Sequence, residues 1–264
     1  MELSWDLLAV LSLVAFIAGF MDAIAGGGGL ITLPALLIAG IDPVSAIATN
    51  KFQAASATVS SVHAFAKKGM IEWKKAVPLG CAAFVGGMLG ALFVSIISQA
   101  FLQGLVPIML LAVATYFIFS PKLGEHKNKK KLSLVAFSFM IAPLLGFYDG
   151  VFGPGVGSFF MVAFVFLTGF SFMRSMSFAK LANASCNLGS LSIFIIKGSI
   201  IWPIALAMAL AAFAGAQLGT RCVVKVGPKL VKPMLIGVCC LLAMKLLSAA
   251  DNPLRMYLQR LLFN

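Results

Sequence analysis

Long apolar stretches separated by short polar ones fill most of this chain. Crossing the hydrocarbon of a bilayer takes about 20 apolar residues in an α-helix, and the length leaves room for roughly eight such segments. Continuous apolar stretches such as 76–97 do not show the alternation of β-barrel strands. We therefore predict an all-α integral membrane protein. Its helical segments are expected at about 4–24, 29–40, 44–66, 76–98, 101–119, 132–150, 156–169, 175–196, 203–223 and 233–249.

One passage of the chain occurs twice. Residues 19–29 read GFMDAIAGGGG, and residues 146–156 read GFYDGVFGPGV, at an offset of 127 residues. Further along, Lys51 corresponds to Lys180 at an offset of 129. In both copies an acidic residue and a glycine-rich break interrupt an apolar stretch, so each repeat is predicted to begin with a broken helix. Doubled breaks of this kind are the best sequence indication of a substrate site in a secondary transporter.

The duplication divides the chain into two transmembrane repeats. We assign residues 1–120 to the first repeat and 132–250 to the second. Residues 121–131, PKLGEHKNKKK, form a basic linker that we expect in the cytoplasm. Residues 251–264 combine arginines with apolar side chains and are predicted to form an amphipathic tail at the membrane interface.

The relative orientation of the repeats depends on how the broken segments cross the membrane. The pieces after the breaks, 30–40 and 157–169, have 11 to 13 residues, about half a bilayer thickness. If each broken segment enters and leaves on one side, the repeats are inverted. If each makes one crossing, they are parallel, and residues 4–23 are long enough for that. The inverted arrangement places more loop lysines and arginines on one side, so the charge bias favours inversion.

The composition supports a membrane protein, and the positions of the lysines decide how the net charge is interpreted. Hydrophobic residues make up 61% of the chain and charged residues 11%, against about 25% charged residues in soluble domains. The net charge of +12 would suggest nucleic-acid binding, but most lysines lie in loop patches at 67–75, 122–131 and 221–232. This positive-inside pattern excludes nucleic acid as the partner. It indicates a multi-pass protein of the inner (plasma) membrane with cytoplasmic basic loops.

The glycine breaks are candidate anion sites. The helices that resume near residues 30 and 157 present free N–H groups and the positive end of a helix dipole to the interior. Four glycines at these ends are candidate binding residues: Gly28, Gly29, Gly155 and Gly157. The alternative is that glycines only allow close helix packing. We prefer that interpretation for Gly86, Gly90, Gly215 and Gly219.

Two lysines lie within apolar segments at matching repeat positions. A buried ammonium group is costly unless it is paired, so Lys51 and Lys180 are functional candidates. The alternative is that these side chains reach the headgroups from near a helix end, but their recurrence favours function. Neighbouring amides are further candidates: Asn50, Gln53, Asn183 and Asn187. Together these groups predict a cavity for a small anion.

Asp22 and Asp149 each precede a break. They could pair with the lysines or carry a coupling proton, and we favour pairing while leaving both roles open. The sequence has no GxxxxGK[ST] nucleotide-binding loop and no cluster typical of metal ligands, so we expect no cofactor and no metal. An intramembrane enzyme is a weaker alternative, because two histidines offer little for catalysis.

The first break and the motif ATNKF at 48–52 resemble the TauE/SafE family of sulfite exporters. In the second half, Gly-Pro-Gly at 153–155 and the segment 177–180, SFAK, correspond to them, and the resemblance extends from Gly19 to about Val238. It implies transport of sulfite, sulfoacetate or related organosulfonates by alternating access between the repeats. The alternatives are a passive anion channel and a transporter of another small organic anion. The direction, the coupling ion, protons included, and a homo-oligomeric state stay open.

Overall fold

The structure is a computed structural model that describes residues 4–119 and 132–226. The predicted linker at 121–131, the segment at 233–249 and the tail at 251–264 lie outside the described residues. Within the described residues the chain is helical and contains no strand, which confirms the predicted all-α class.

Each half has one short helix, which is its second, among longer ones. In the first half they are α1 (Trp5–Ala25), α2 (Gly29–Ile38), α3 (Pro43–Lys67), α4 (Trp73–Val94) and α5 (Gln99–Phe119). In the second half they are α6 (Leu134–Val151), α7 (Val156–Ala163, continued by the π-helical segment Phe164–Thr168), α8 (Phe172–Ile196) and α9 (Trp202–Val226). Among the described residues, five helices are long and apolar enough to cross a membrane, namely α1, α4, α6, α8 and α9.

Local sequence explains where several helices begin. Asp42 caps α3, its carboxylate accepting a hydrogen bond from the Ser45 N–H at 3.0 Å, with Pro43 in the first helical position. Ser4 caps α1 in the same way, through the N–H of Leu7 at 3.2 Å. These caps satisfy N–H groups that have no partner within the helix.

The equivalent helices α3 and α8 run antiparallel. Ser177, near the start of α8, donates from its hydroxyl to the Met70 carbonyl just after α3, at 3.1 Å. At the other end, the Ile201 N–H after α8 donates to the Thr49 hydroxyl early in α3, at 3.2 Å. Both helices have 25 residues and are related by the offset of 129. Their opposite course supports the prediction of inverted repeats.

The first helix of each half packs against a long helix of the other half. α1 contacts α9 and α6 contacts α4 over most of their lengths. A Cβ atom on any of the four packing glycines would collide with a facing backbone carbonyl. Gly86 and Gly90 face Pro143 and Phe147, and Gly215 and Gly219 face Phe16 and Phe20. The packing interpretation of these glycines is therefore confirmed.

Candidate functional site

α3 and α8 bring buried polar side chains into the centre of the molecule. Both helices carry hydroxyl, amide and ammonium groups on the sides that face their neighbours, while exposed apolar residues such as Val59 and Leu188 lie on the outside. This distribution is the reverse of a helix in a soluble protein. In a membrane, intramembrane polar residues almost always face the interior or a water-filled cavity. The buried polar residues on these two helices include Thr49, Asn50, Lys51, Gln53, Lys180, Asn183 and Asn187.

Two ion pairs cross between the halves at this centre. The Nζ atom of Lys51 lies 2.8 Å from Oδ1 of Asp149. The Nζ atom of Lys180 lies 2.8 Å from Oδ2 of Asp22 and also donates to the backbone carbonyl of Asp22. Each bridge therefore joins a lysine of one half to an aspartate of the other.

Neither bridge is open to solvent. Lys51 and Asp149 are each 1% exposed, Lys180 is 2% exposed and Asp22 is 7% exposed. Counted as ions, the two lysines and two aspartates sum to zero charge. A lone ion in the interior would carry a desolvation penalty of several kcal/mol, and pairing offsets much of it. The described arrangement is therefore electrically balanced without a ligand.

The two glycine breaks contact each other beside the bridges. Gly26 ends α1 with φ of +77°, a left-handed conformation that glycine adopts without strain. A Cβ atom on Gly26 would lie 2.6 Å from the carbonyl carbon of Gly157. A Cβ on Gly157 would lie 2.9 Å from Nδ2 of Asn183. The absence of side chains thus allows the break of one half to pack against the break of the other.

Each break also contacts one bridge. The N–H of Gly28 donates to Oδ1 of Asp22 at 3.2 Å, so this carboxylate binds both the start of α2 and Lys180. In the second break, a Cβ on Gly153 would lie 2.5 Å from Nζ of Lys51. Gly155 precedes α7 with φ of +85°. The ion pairs and the helix N-termini thus form one continuous cluster.

The candidate amides fall into two groups. Asn50 accepts a hydrogen bond from the Thr32 hydroxyl at 2.5 Å, and its Nδ2 would lie 3.5 Å from a Cβ on Gly29. On α8, Nδ2 of Asn187 donates to the carbonyl and to Oδ1 of Asn183, at 2.9 and 2.8 Å. Each group positions its amides beside one of the breaks.

Gln53 differs from the other amides. It is 2% exposed, yet its Oε1 atom accepts no hydrogen bond within the described residues. Buried polar atoms nearly always have a partner, from the protein or from ordered water. Among the candidate amides of the described residues, Gln53 therefore has an oxygen with hydrogen-bonding capacity left for a water or a ligand.

The sequence interpretation did not single out Thr32, whose hydroxyl connects the start of α2 to Asn50. Its only signal is a polar residue in the otherwise apolar α2, four residues after Gly28. Gly26 and Gly153 lay within the predicted breaks but were not named as site residues. Their positive φ angles depend on the chain path, which composition does not reveal.

Comparison with known proteins relates this chain to a family of membrane transporters. The family model described as "Sulfite exporter TauE/SafE" matches residues 11–246. A probable membrane transporter protein ORF9 from a Sinorhizobium species is 41% identical, over 97% of this chain and 98% of that protein. The probable membrane transporter protein YfcA of Escherichia coli is 41% identical, over 91% of this chain and 90% of its own length.

A probable membrane transporter protein of Haemophilus influenzae is 40% identical, over 89% of this chain and 92% of that protein. No solved structure shows a significant match. The family match covers most of the chain, and these relatives are aligned over nearly their full lengths. With its five candidate spans, the chain is a multi-pass membrane protein. It belongs to the TauE/SafE sulfite exporter family of membrane transporters.

Proposed function

We propose that this chain is a secondary transporter that exports or exchanges small sulfur-containing anions, such as sulfite, sulfoacetate or related organosulfonates. The observation that carries the proposal is the pair of buried lysine–aspartate bridges beside two glycine breaks. Intramembrane ionisable residues characteristically mark substrate or ion pathways. The family description supplies the class of anion.

In this proposal the anion binds between the two repeats. Lys51 and Lys180 supply positive charge, and the N–H groups at the starts of α2 and α7 supply hydrogen-bond donors. Gln53 and three asparagines orient the anion. The proposed binding residues are Lys51, Lys180, Asn50, Gln53, Asn183, Asn187, Gly28, Gly29, Gly155 and Gly157.

The burial of these groups favours alternating access. Both lysines are at least 98% buried, so an anion reaches them only after the halves move apart. Because each bridge joins the two halves, such a movement also separates a lysine from its aspartate. The arriving anion can then take the place of the carboxylate. Opening the site and exposing its positive charge are thus one event in the proposed cycle.

The charge balance favours protons as the coupling ion. The four bridge residues sum to zero, so a bound monovalent anion adds one uncompensated negative charge. In a water-poor site this charge is costly. A proton taken up by Asp22 or Asp149 removes it and frees the partner lysine for the anion. The proposed cycle therefore moves anion and proton together.

The proposed location is the inner (plasma) membrane with the basic loops in the cytoplasm. The end of α3, the loop that follows and the start of α4 carry four exposed lysines: Lys67, Lys68, Lys74 and Lys75. Lysines and arginines accumulate in cytoplasmic loops of membrane proteins. This distribution supports placing the α3–α4 connection on the cytoplasmic side.

Ligand binding to purified protein tests the proposal. Sulfite, thiosulfate or a short organosulfonate should raise the melting temperature (Tm) of the wild type, because a ligand at about 100 times its dissociation constant stabilises by about 2.7 kcal/mol. Lys51→Ala and Lys180→Ala should abolish this rise and the uptake into vesicles. Gln53→Met, which leaves both bridges intact, should weaken binding. Lys197→Ala, an exposed lysine at the end of α8, is the matched control.

Folded lysine variants that bind sulfonates like the wild type would show that the site is wrong. A response to carboxylates alone would identify a transporter of another small organic anion. Anion flux that is unaffected by an imposed proton gradient would exclude the coupling step. Flux without saturation by substrate would favour a passive channel over alternating access.

A further inference from the structure

An apolar groove of about 540 Å³ lies on the outer face of the molecule, between α3, α4 and α8. Its lining includes Val59 and Val62 from α3, Val77 and Val85 from α4, and Leu181 and Leu188 from α8. None of the proposed anion-binding residues lines it. The groove is therefore a feature separate from the buried bridges.

The dimensions of the groove fit one leaflet of a bilayer. Along α4 its lining extends from Trp73 to Val85, which at 1.5 Å per residue is about 18 Å. One leaflet contributes about half of a hydrocarbon core that is about 30 Å thick. Trp73, at the start of α4, is the type of residue enriched at the membrane interface. The groove thus reaches from one interface to about the middle of the membrane.

A basic cluster lies at the interface end of the groove. It consists of Lys67, Lys68, Lys74 and Lys75, all exposed. Lys75 pairs with Glu72 at 2.5 Å, whereas the other three make no ion pair among the described residues. Clusters of lysine beside a membrane helix attract anionic lipid headgroups. The open end of the groove therefore carries uncompensated positive charge at headgroup depth.

The second half lacks both properties at the equivalent positions. At the offset of 129, Gly80 and Cys81 of the groove correspond to Ala209 and Leu210, which have larger side chains. Leu181 is paired with Phe52, whose ring meets that of Trp202 edge-on, with 5.4 Å between centroids. Of the basic cluster only Lys68 has a lysine counterpart, Lys197; the other three positions hold Ile196, Pro203 and Ile204. Trp202 occupies the position equivalent to Trp73 at the offset of 129, and it can therefore serve as an internal control for Trp73.

We propose that this groove binds an anionic phospholipid, with one acyl chain along α4 and the phosphate held by Lys68 and Lys74. The apolar lining of the groove and its length of about one leaflet fit an acyl chain. The lysines without an ion pair fit an anionic headgroup. A neutral lipid would leave the lysine charge uncompensated. A second protein copy would bring the same basic cluster, and its repulsion, to the interface.

Tryptophan quenching by brominated lipids tests the proposal in reconstituted full-length protein. The W5F/W202F variant retains Trp73, and the W5F/W73F variant retains Trp202. Vesicles of phosphatidylcholine receive equal fractions of brominated phosphatidylglycerol or brominated phosphatidylcholine. We expect brominated phosphatidylglycerol to quench Trp73 several-fold more strongly than brominated phosphatidylcholine, and we call this ratio the preference. One lysine near the surface contributes about fivefold to the binding of an anionic lipid. Trp202, which has only Lys197 in place of the basic cluster, should show a smaller preference. High salt should reduce the preference at Trp73 by screening.

Two variants test the headgroup contact and the acyl-chain contact of the lipid separately. K68A/K74A, which leaves Lys67 in place, should lower the preference at Trp73 several-fold, and C81L, which introduces the side chain found in the second half, should reduce it by filling the groove. Equal quenching of Trp73 by both lipids would overturn the proposal. If K68A/K74A left the preference unchanged, the assignment of the headgroup to Lys68 and Lys74 would be wrong. If C81L left the preference unchanged, the placement of the acyl chain along α4 would be wrong. Quenching by neither lipid would indicate that a second copy covers the groove.

Discussion

Lys51 and Asp149 meet at 2.8 Å, and each residue is 1% exposed. Removing one partner of such a buried bridge leaves an uncompensated charge and typically costs about 3–5 kcal/mol. Replacing both partners by apolar residues of similar size is often neutral or stabilising. Stability alone therefore gives no reason to retain this bridge.

This contrast predicts different effects on stability and transport. Lys51→Met should lower the Tm strongly, because Asp149 loses its partner. The double variant K51M/D149L should restore the Tm to near the wild-type value, yet it should not transport sulfonates. Thermal unfolding in detergent and uptake by vesicles measure the two properties. Transport by the double variant at the wild-type rate would mean that the bridge has only a structural role.

Charged residues within apolar stretches could be recognised from the sequence, but their partners could not. Lys51, Lys180, Asp22 and Asp149 stand out because each interrupts an apolar segment of its repeat. Which lysine meets which aspartate depends on α1 and α6 packing against helices of the opposite half. That exchange is a property of tertiary structure. The binding roles of these residues stay predictions.

Between helices, Glu72 connects the two halves at the surface. It lies in the connection from α3 to α4, and its carboxylate is 2.5 Å from both Lys75 and Arg174, the latter near the start of α8. The guanidinium of Arg174 also lies 4.0 Å from the ring centroid of Phe170. The hydrogen bond from Lys75, helped by the charges of both cations, lowers the pKa of Glu72 below its usual value of 4.5.

The lowered pKa gives this contact a defined pH dependence. The unfolded chain binds the proton more readily, so the stabilising effect of Glu72 is present above pH 4.5 and is lost as the pH falls through the lowered folded-state pKa. Glu72→Gln should therefore have a slightly lower Tm than the wild type at pH 7, and the two should converge in acid. Melting curves of both proteins from pH 7 into acid test this pH dependence, with Lys74→Gln as the control. A Tm difference that persists in acid would contradict the assignment.

Helix positions could be predicted well where turn and cap signals are strong. Asp42 followed by Pro43 specified the start of α3, and α8 ends at the predicted Ile196. The π-helical segment Phe164–Thr168 was not predicted, since a uniformly apolar stretch gives no period that separates it from an α-helix. The start of α4 at Trp73 was also missed, because Lys74 and Lys75 break the apolar pattern.

For the molecule as a whole, the antiparallel course of α3 and α8 has a consequence for sidedness. The loops after these helices, 68–72 and 197–201, occupy equivalent positions at the offset of 129. If the repeats are inverted, the two loops lie on opposite sides of the membrane. In the topology that we propose, the first loop lies in the cytoplasm.

Labelling of introduced cysteines tests this topology. In a cysteine-free background, Lys68→Cys should react with an impermeant maleimide only from the cytoplasmic side, and Lys197→Cys only from the opposite side. Both positions are exposed and lie at matching helix ends. Reaction of both from the same side would establish parallel repeats. Right-side-out and inverted vesicles supply the two directions of access.

The crossed bridges also constrain how the protein is made. Lys51 and Asp22 are synthesised first, but their final partners, Lys180 and Asp149, belong to the half that follows. During biosynthesis the first half must therefore hold both charges without these partners until the second half has been inserted. Neither half can complete a bridge alone. Insertion of the second half is thus the step at which the first half reaches its final state.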